Sequence, residues 1–196
     1  MISKKAVGLV LVAGIISLYL YSVKRSQKPS FSVVVEATES SPTRLEEATN
    51  SDGSLRLVGE RNVMGERASY SFKVLDSQNN SSLLLFDTVA DPGQTFTIPF
   101  NSWSSDNKHL FIQKNDLNGK DYYVFKADGS LFSDEKKYLE VGEYWKLSKN
   151  MDVIDHVSGW AGGDLLVSYT TRPDGTGSSA YWFVVGSRKF MQVREL

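Results

Sequence analysis

Two stretches of this chain repeat the same order of features, and that repeat limits the fold more than any other property of the sequence. The first runs Asn101-Ser-Trp-Ser-Ser-Asp-Asn-Lys-His-Leu-Phe-Ile-Gln113, followed by a turn and Asp121-Tyr-Tyr-Val-Phe125. The second runs Ser158-Gly-Trp-Ala-Gly-Gly-Asp-Leu-Leu-Val-Ser168, followed by a loop and Ala180-Tyr-Trp-Phe-Val184. Each has a tryptophan, a tight polar turn, an apolar strand, a polar loop and an aromatic strand. Trp103 and Trp160 lie 57 residues apart. A weaker third copy is Leu55-Arg-Leu-Val-Gly59 with Tyr70-Ser-Phe-Lys-Val74, about 52 residues ahead of its counterpart. A period of this size suits a unit of four short strands.

Strand signals fill the chain from Leu55 onward. The first group is Leu55–Glu60, Ala68–Asp76, Leu83–Val89 and Phe96–Phe100. Leu110–Lys114, Asp121–Lys126 and Tyr138–Val141 follow, then Asp164–Thr170, Ala180–Val185 and Phe190–Arg194. Turn residues separate them, among them Asn118-Gly119, Asp128-Gly129 and Pro173-Asp-Gly175, which supply the positive φ that tight hairpins need. Many short runs with little helical periodicity predict an all-β domain over residues 55–196, built of antiparallel four-stranded, blade-like sheets.

Trp103-Ser-Ser-Asp-Asn-Lys108 resembles the TolB-type, WD40-like propeller repeat, whose signature is Trp-Ser-Pro-Asp-Gly-Lys before an apolar strand. Trp103, Ser104, Asp106 and Lys108 match it. Ser105 stands in place of the proline and Asn107 in place of the glycine, and asparagine tolerates the left-handed backbone conformation. Asp128-Gly129-Ser130 resembles the turn that closes the blade's third strand, whereas in the second copy only Trp160 and Gly163 fit. The resemblance spans one repeat of about 30 residues. It implies a partial or open β-propeller used for binding and not for catalysis. Two or three units do not close a ring, which takes about four blades. The domain is then an open stack of sheets, a ring completed by self-association into a homo-oligomer, or a sandwich that mimics blades.

The N-terminal end points to a membrane. Ala6 to Val23 is an uncharged run of 18 residues. As a helix it reaches about 27 Å, close to the hydrocarbon thickness of a bilayer. Tyr19 and Tyr21 suit the interface, and Lys4–Lys5 and Lys24–Arg25 flank the run. No small-x-small cleavage site follows, and Ile15 stands where a lipobox would need cysteine. Residues 1–28 therefore read as an uncleaved signal anchor, a single transmembrane helix. The short basic N-tail favours an extracytoplasmic C-terminal domain. Residues 29–54 read as a polar tether with a β-prone patch at Phe31–Ala37 and a short helix near Arg44–Ala48.

Composition removes several functions. The chain has no cysteine, hence no disulfide, thiolate metal site or cysteine nucleophile. Residues 1–28 hold five basic and no acidic side chains, which leaves 17 basic against 23 acidic, net −6, on the rest. An acidic domain of this kind opposes binding to nucleic acid.

No catalytic constellation stands out. Asp155-His156 suggests an acid–base pair, but neighbours on a strand face opposite ways, so the two are not automatically partners. His109 and His156 read as ordinary surface or turn histidines. Asp116-Leu-Asn-Gly-Lys-Asp121 fails as a calcium loop, because Ala127 occupies the twelfth position where glutamate is required. The aromatic residues, Trp103, Trp145, Trp160 and Trp182 among them, read first as packing at repeated positions and second as a binding surface. The binding residues expected are Arg172, Asp174, Thr176 and Ser178, in the long Gly-rich loop 172–179. The sequence thus predicts a membrane-anchored binding or scaffold protein, not an enzyme, with no cofactor and with a protein or cell-envelope component as partner. The alternative is a membrane-anchored hydrolase that cuts glycans with a carboxylate pair.

Overall fold

Hydrophobic periodicity of two runs through most of the domain, and the computed structural model builds it into three four-stranded antiparallel sheets. The structure describes residues 43–148 and 150–193. The first sheet follows chain order, β1 (Thr43–Thr49), β2 (Leu55–Met64), β3 (Arg67–Asp76) and β4 (Ser82–Ala90). The middle sheet is β5 (Thr95–Thr97), β6 (His109–Asp116), β7 (Gly119–Lys126) and β8 (Leu139–Glu140). The helix α1 (Val141–Leu147) follows. The last sheet is β9 (Val153–Trp160), β10 (Leu165–Thr171), β11 (Ser178–Val184) and β12 (Lys189–Val193). The three sequence copies fall on the second and third strands of each sheet.

The middle sheet is buried on both faces, which explains why its strands are apolar without a break. Leu110, Ile112, Tyr123 and Phe125 join Phe72 and Phe86 of the first sheet in one core. Phe111, Tyr122 and Val124 point the other way and join Leu166 and Phe183 of the last sheet. Successive side chains of a strand alternate in direction, so one strand feeds two cores.

The repeated tryptophans tie each sheet to the one before it. Trp103 bridges to Leu110 at the inner edge of the middle sheet, and its indole Nε1 donates to the Ala48 carbonyl of β1 at 2.9 Å. Trp160 in β9 donates likewise to the Ser102 carbonyl at 3.0 Å. Asn107 takes φ 59°, the left-handed conformation expected where the repeat has glycine. Its side chain donates to Asp52 in the β1–β2 turn at 2.9 Å. Trp103→Phe or Trp160→Phe keeps an aromatic ring, a smaller one, and removes the donor. Each is expected to lower unfolding free energy by about 1 kcal/mol, read from urea midpoints.

Three elements differ from the sequence expectation. Thr43–Thr49, placed in the polar tether with a helix near Arg44–Ala48, is strand β1, paired with β2 from Thr43↔Arg61 to Thr49↔Arg56. Pairing to a long neighbour satisfies its backbone, which the polar composition alone does not reveal. β9 was not expected, because register shifts at its pairing with β10 break the alternation that marks a strand. α1 is also unexpected. Its Val141 and Trp145 are buried at helical i, i+4 spacing, and the Asp121 carboxylate of β7 accepts the Gly142 amide at 2.8 Å. The transmembrane anchor expected at residues 1–28 lies outside the described residues. Among the described ones, no helix is long and apolar enough to cross a membrane.

Candidate functional site: a groove along the inner strands

A groove of about 680 Å³ is lined by the edge strands β1 and β9 and by residues 100–105, the segment between β5 and β6. β5 ends at Thr97, where Pro99 has no amide to continue the ladder. The chain swings out over residues 98–101 and returns at Ser102, whose carbonyl accepts the Phe111 amide at 3.0 Å. Phe100 sits on this excursion and is 96% exposed. The Ile98 amide is held by the Glu46 carboxylate at 2.6 Å, so the excursion is anchored at its start. At its end the Asn101 side chain donates to the Ser158 carbonyl of β9 at 3.1 Å.

Phe100, Asn101, Trp103 and Trp160 line the groove together with Thr49, Ser51 and Ser105. Glu47 adds a charge, but its carboxylate lies 3.4 Å from the Arg56 guanidinium. The surface is neutral, rich in hydroxyls and set with flat rings. It offers stacking, hydrogen bonds and strand edges, and its Ser104 hydroxyl, which donates to the Asp106 carboxylate at 2.8 Å, is buried and also accepts the His109 amide at 2.9 Å. This chemistry suits a neutral polar ligand such as a sugar or an extended peptide.

A second cavity, of about 500 Å³, lies between the middle sheet and α1 and holds Asp121 and Glu140. Asp121 Oδ1 accepts the Tyr122 amide at 2.7 Å and the Gly142 amide at 2.8 Å. Burial first, then the charges of Asp121 and Glu143, raise the Glu140 carboxyl above the ordinary glutamate value. The Tyr123 hydroxyl donates to Glu140 at 3.5 Å, and burial pushes that phenol up as well. The Tyr122 hydroxyl, which accepts the Val157 amide at 3.1 Å, is pushed up to about 12 by burial. Because the folded protein holds the Glu140 proton more tightly than the unfolded chain does, this group favours folding at low pH. That contribution is lost as pH rises from the ordinary glutamate value through the raised folded one. Glu140→Gln is expected to flatten this slope and to be more stable than the parent at neutral pH, as read from urea midpoints across the range.

The expected binding residues lie elsewhere. Arg172, Asp174, Thr176 and Ser178 occupy the exposed β10–β11 hairpin, and none of them lines the groove. Asp174 accepts the Thr176 amide at 2.9 Å and its hydroxyl at 2.7 Å, and the Gly175 amide bonds the Arg172 carbonyl at 2.8 Å. The turn thus engages the Asp174 and Thr176 side chains with each other.

The histidines also have defined places. His109 Nδ1 lies 2.9 Å from the Gly163 carbonyl, and its ring stacks on Trp160 at 5.9 Å. Asp155 and His156 do meet, at 2.7 Å, a contact that strict strand alternation would not give. The register shift opposite Tyr169 leaves both on one side of β9. His156 stacks on the Tyr169 ring at 4.8 Å, and both partners of the pair are exposed. Asp116 accepts the Asn118 amide at 2.8 Å within the β6–β7 hairpin, where Gly119 takes φ 126°.

Sequence reasoning missed Phe100, which it placed inside a strand ending at that residue. The signal was Pro99, a residue that interrupts a strand ladder.

No family model matches the chain, and no curated protein matches it. Among solved structures it is similar to the β-propeller domain of the Trilobed protease from Pyrococcus furiosus, described as having an open velcro topology. The TM-score is 0.48 at 9% sequence identity, over 79% of this chain and 44% of that one.

Proposed function

We propose that this chain is a membrane-anchored, non-catalytic binding and scaffold protein. Its stacked sheets are a partial, open propeller that presents the inner groove to a protein or glycan of the cell envelope. The observation that carries this reading is Phe100, a phenylalanine 96% exposed beside Trp103 and Trp160 in a groove between β1, residues 100–105 and β9. A side chain of this kind contributes almost nothing to the fold, while an aromatic ring beside strand edges is what a ligand would cover. The propeller reading rests on the sequential four-stranded sheets and on the equivalent inter-sheet bonds of Trp103 and Trp160. The anchor and the extracytoplasmic side rest on the uncharged run Ala6–Val23 and its basic flanks.

The test is capture of envelope proteins and glycans by the full chain and by its Phe100→Ala variant. The variant should keep the parent's urea midpoint and lose the captured ligand. If both forms capture the same set, or neither captures anything, the groove reading is overturned. A reporter fused after Leu196 and active only in the cytoplasm would overturn the orientation.

One observation favours a second reading, a hydrolase acting on glycans. Asp121 and Glu140 share a cavity with Trp145, and Glu140 is held toward its protonated form. The two backbone amides bound to Asp121 give that carboxylate a structural duty and weigh against it. Release of soluble sugar from envelope glycan, abolished in Glu140→Gln, would establish this reading over the first.

A further inference from the structure

The strand edges beside the groove have no neighbouring strand, yet their carbonyls there are already engaged. Adding a strand to an edge needs a row of backbone donors and acceptors along it. In the groove the segment 100–105 interrupts that row. The Trp103 indole crosses to the Ala48 carbonyl of β1 at 2.9 Å. The Asn101 amide crosses to the Ser158 carbonyl of β9 at 3.1 Å. Between them the Ser102 carbonyl takes the Trp160 indole at 3.0 Å and the Phe111 amide at 3.0 Å. A loop laid over an edge in this way blocks pairing with another chain. An extended peptide entering the groove would have to displace the Trp103 and Asn101 bonds before it met those acceptors.

What the groove leaves open is of a different kind. The Phe100 ring is 96% exposed. The Thr49 and Ser105 hydroxyls are exposed and have no hydrogen-bond partner among the described residues. Asn101 uses one N–H on Ser158 and keeps its side-chain oxygen as an acceptor. Ser51 donates its hydroxyl to Asn107 at 3.2 Å and can still accept. Glu47 is the one charged side chain among the described residues of the lining, and it is paired with Arg56 at 3.4 Å. An anionic ligand meets no cation there, and residues 29–196, with 17 basic and 23 acidic side chains, repel it. A cationic ligand finds the carboxylate taken. A lipid tail would strip water from the hydroxyls and return no hydrogen bonds. The ligand that fits is uncharged, rich in hydroxyls and flat enough on its C–H face to lie on a ring.

We infer that the groove binds an uncharged oligosaccharide, with one sugar ring laid on Phe100 and its hydroxyls bonded to Thr49, Ser105 and Asn101. This rests on the groove reading of the proposed function and narrows its ligand from a protein or glycan to a glycan. A space of about 680 Å³ has the size of a small-molecule site, so it takes a short stretch of a sugar chain and not a folded partner.

The full chain is titrated with short oligomers of glucose, mannose and N-acetylglucosamine and, in parallel, with uncharged extended peptides of serine, threonine and valine. At least one oligosaccharide should bind, with an affinity unchanged between low and high salt because the ligand carries no charge. Phe100→Ala, which removes an exposed ring and keeps the fold, should weaken it by about tenfold or more. Phe100→Tyr keeps the stacking face and should stay within about threefold of the parent. Ser105→Ala should weaken binding by about threefold. Glu140→Gln should bind as the parent does, which separates the groove from the cavity beside α1. A peptide that binds the parent and is lost in Phe100→Ala overturns the inference and leaves the groove reading standing. Sugar binding that Phe100→Ala does not weaken overturns both, as does the absence of binding by every probe. Sugar binding that falls steeply with salt overturns the assignment to an uncharged ligand.

Discussion

Replacing Phe111 with alanine is expected to lower the unfolding free energy by about 3–5 kcal/mol. Phe111 is fully buried in the central strand of the core between the middle and last sheets. Its ring meets Tyr122 edge-on at 6.0 Å and Trp160 at 6.1 Å. Removing it loses the transfer energy of the ring and leaves a space that the surroundings cannot close. β6 is fixed by the ladder to β7, and Trp160 is fixed by its bond to the Ser102 carbonyl. Against a total stability of about 5–15 kcal/mol for an ordinary domain, this loss removes a large share of it. Urea unfolding should show the midpoint falling at unchanged slope, and a loss below about 1 kcal/mol would contradict the packing described. Phe100→Ala is the matched contrast. The same change at an exposed ring should fall within about 0.5 kcal/mol of the parent.

Gly159→Ala is expected to cost about 3–5 kcal/mol, backbone strain and clash together, and to spoil the groove as well. Gly159 takes φ 132°, a conformation that side-chain-bearing residues rarely adopt. A Cβ there would lie 2.8 Å from the Asn101 Cβ, an atom fixed to backbone and unable to turn aside. Relief requires moving residues 100–101, which also strains the Asn101–Ser158 bond and displaces Phe100. The variant should therefore lose both midpoint and groove binding. Gly65→Ala separates the two causes. Gly65 also has positive φ, 63°, but nothing stands within 4 Å of its added Cβ. It should show the backbone cost alone, about 1–2 kcal/mol, with binding intact. A Gly159→Ala chain as stable as Gly65→Ala would contradict the close approach.

The Asp155–His156 contact and the Phe100 excursion show where reading the sequence stops. Both depend on a departure from regular strand geometry, at a register shift in β9 and after Pro99. Alternation of side chains presumes that such departures are absent. The loop 172–179 poses a related question. Its glycines and polar residues mark a turn, but whether those groups serve a ligand or one another depends on the closure of the turn, and Asp174 is taken up by Thr176.

What the sequence by itself determined is the set of strands that carry an apolar period of two and the turns between them. The copies at Leu55, Leu110 and Leu165 lie on β2, β6 and β10, and Asn107 holds the left-handed turn. These features are local, because side-chain alternation and turn conformation are properties of a few neighbouring residues. The tertiary structure decided the rest. It made β1 a strand because β2 offered partners, and it made α1 a helix because Asp121 met its amino-terminal end. It set Trp103 and Trp160 on the sheets before their own and left Trp182 on an open face. The energy of those choices comes from groups about 50 residues apart in the chain, which only meet once the sheets have stacked.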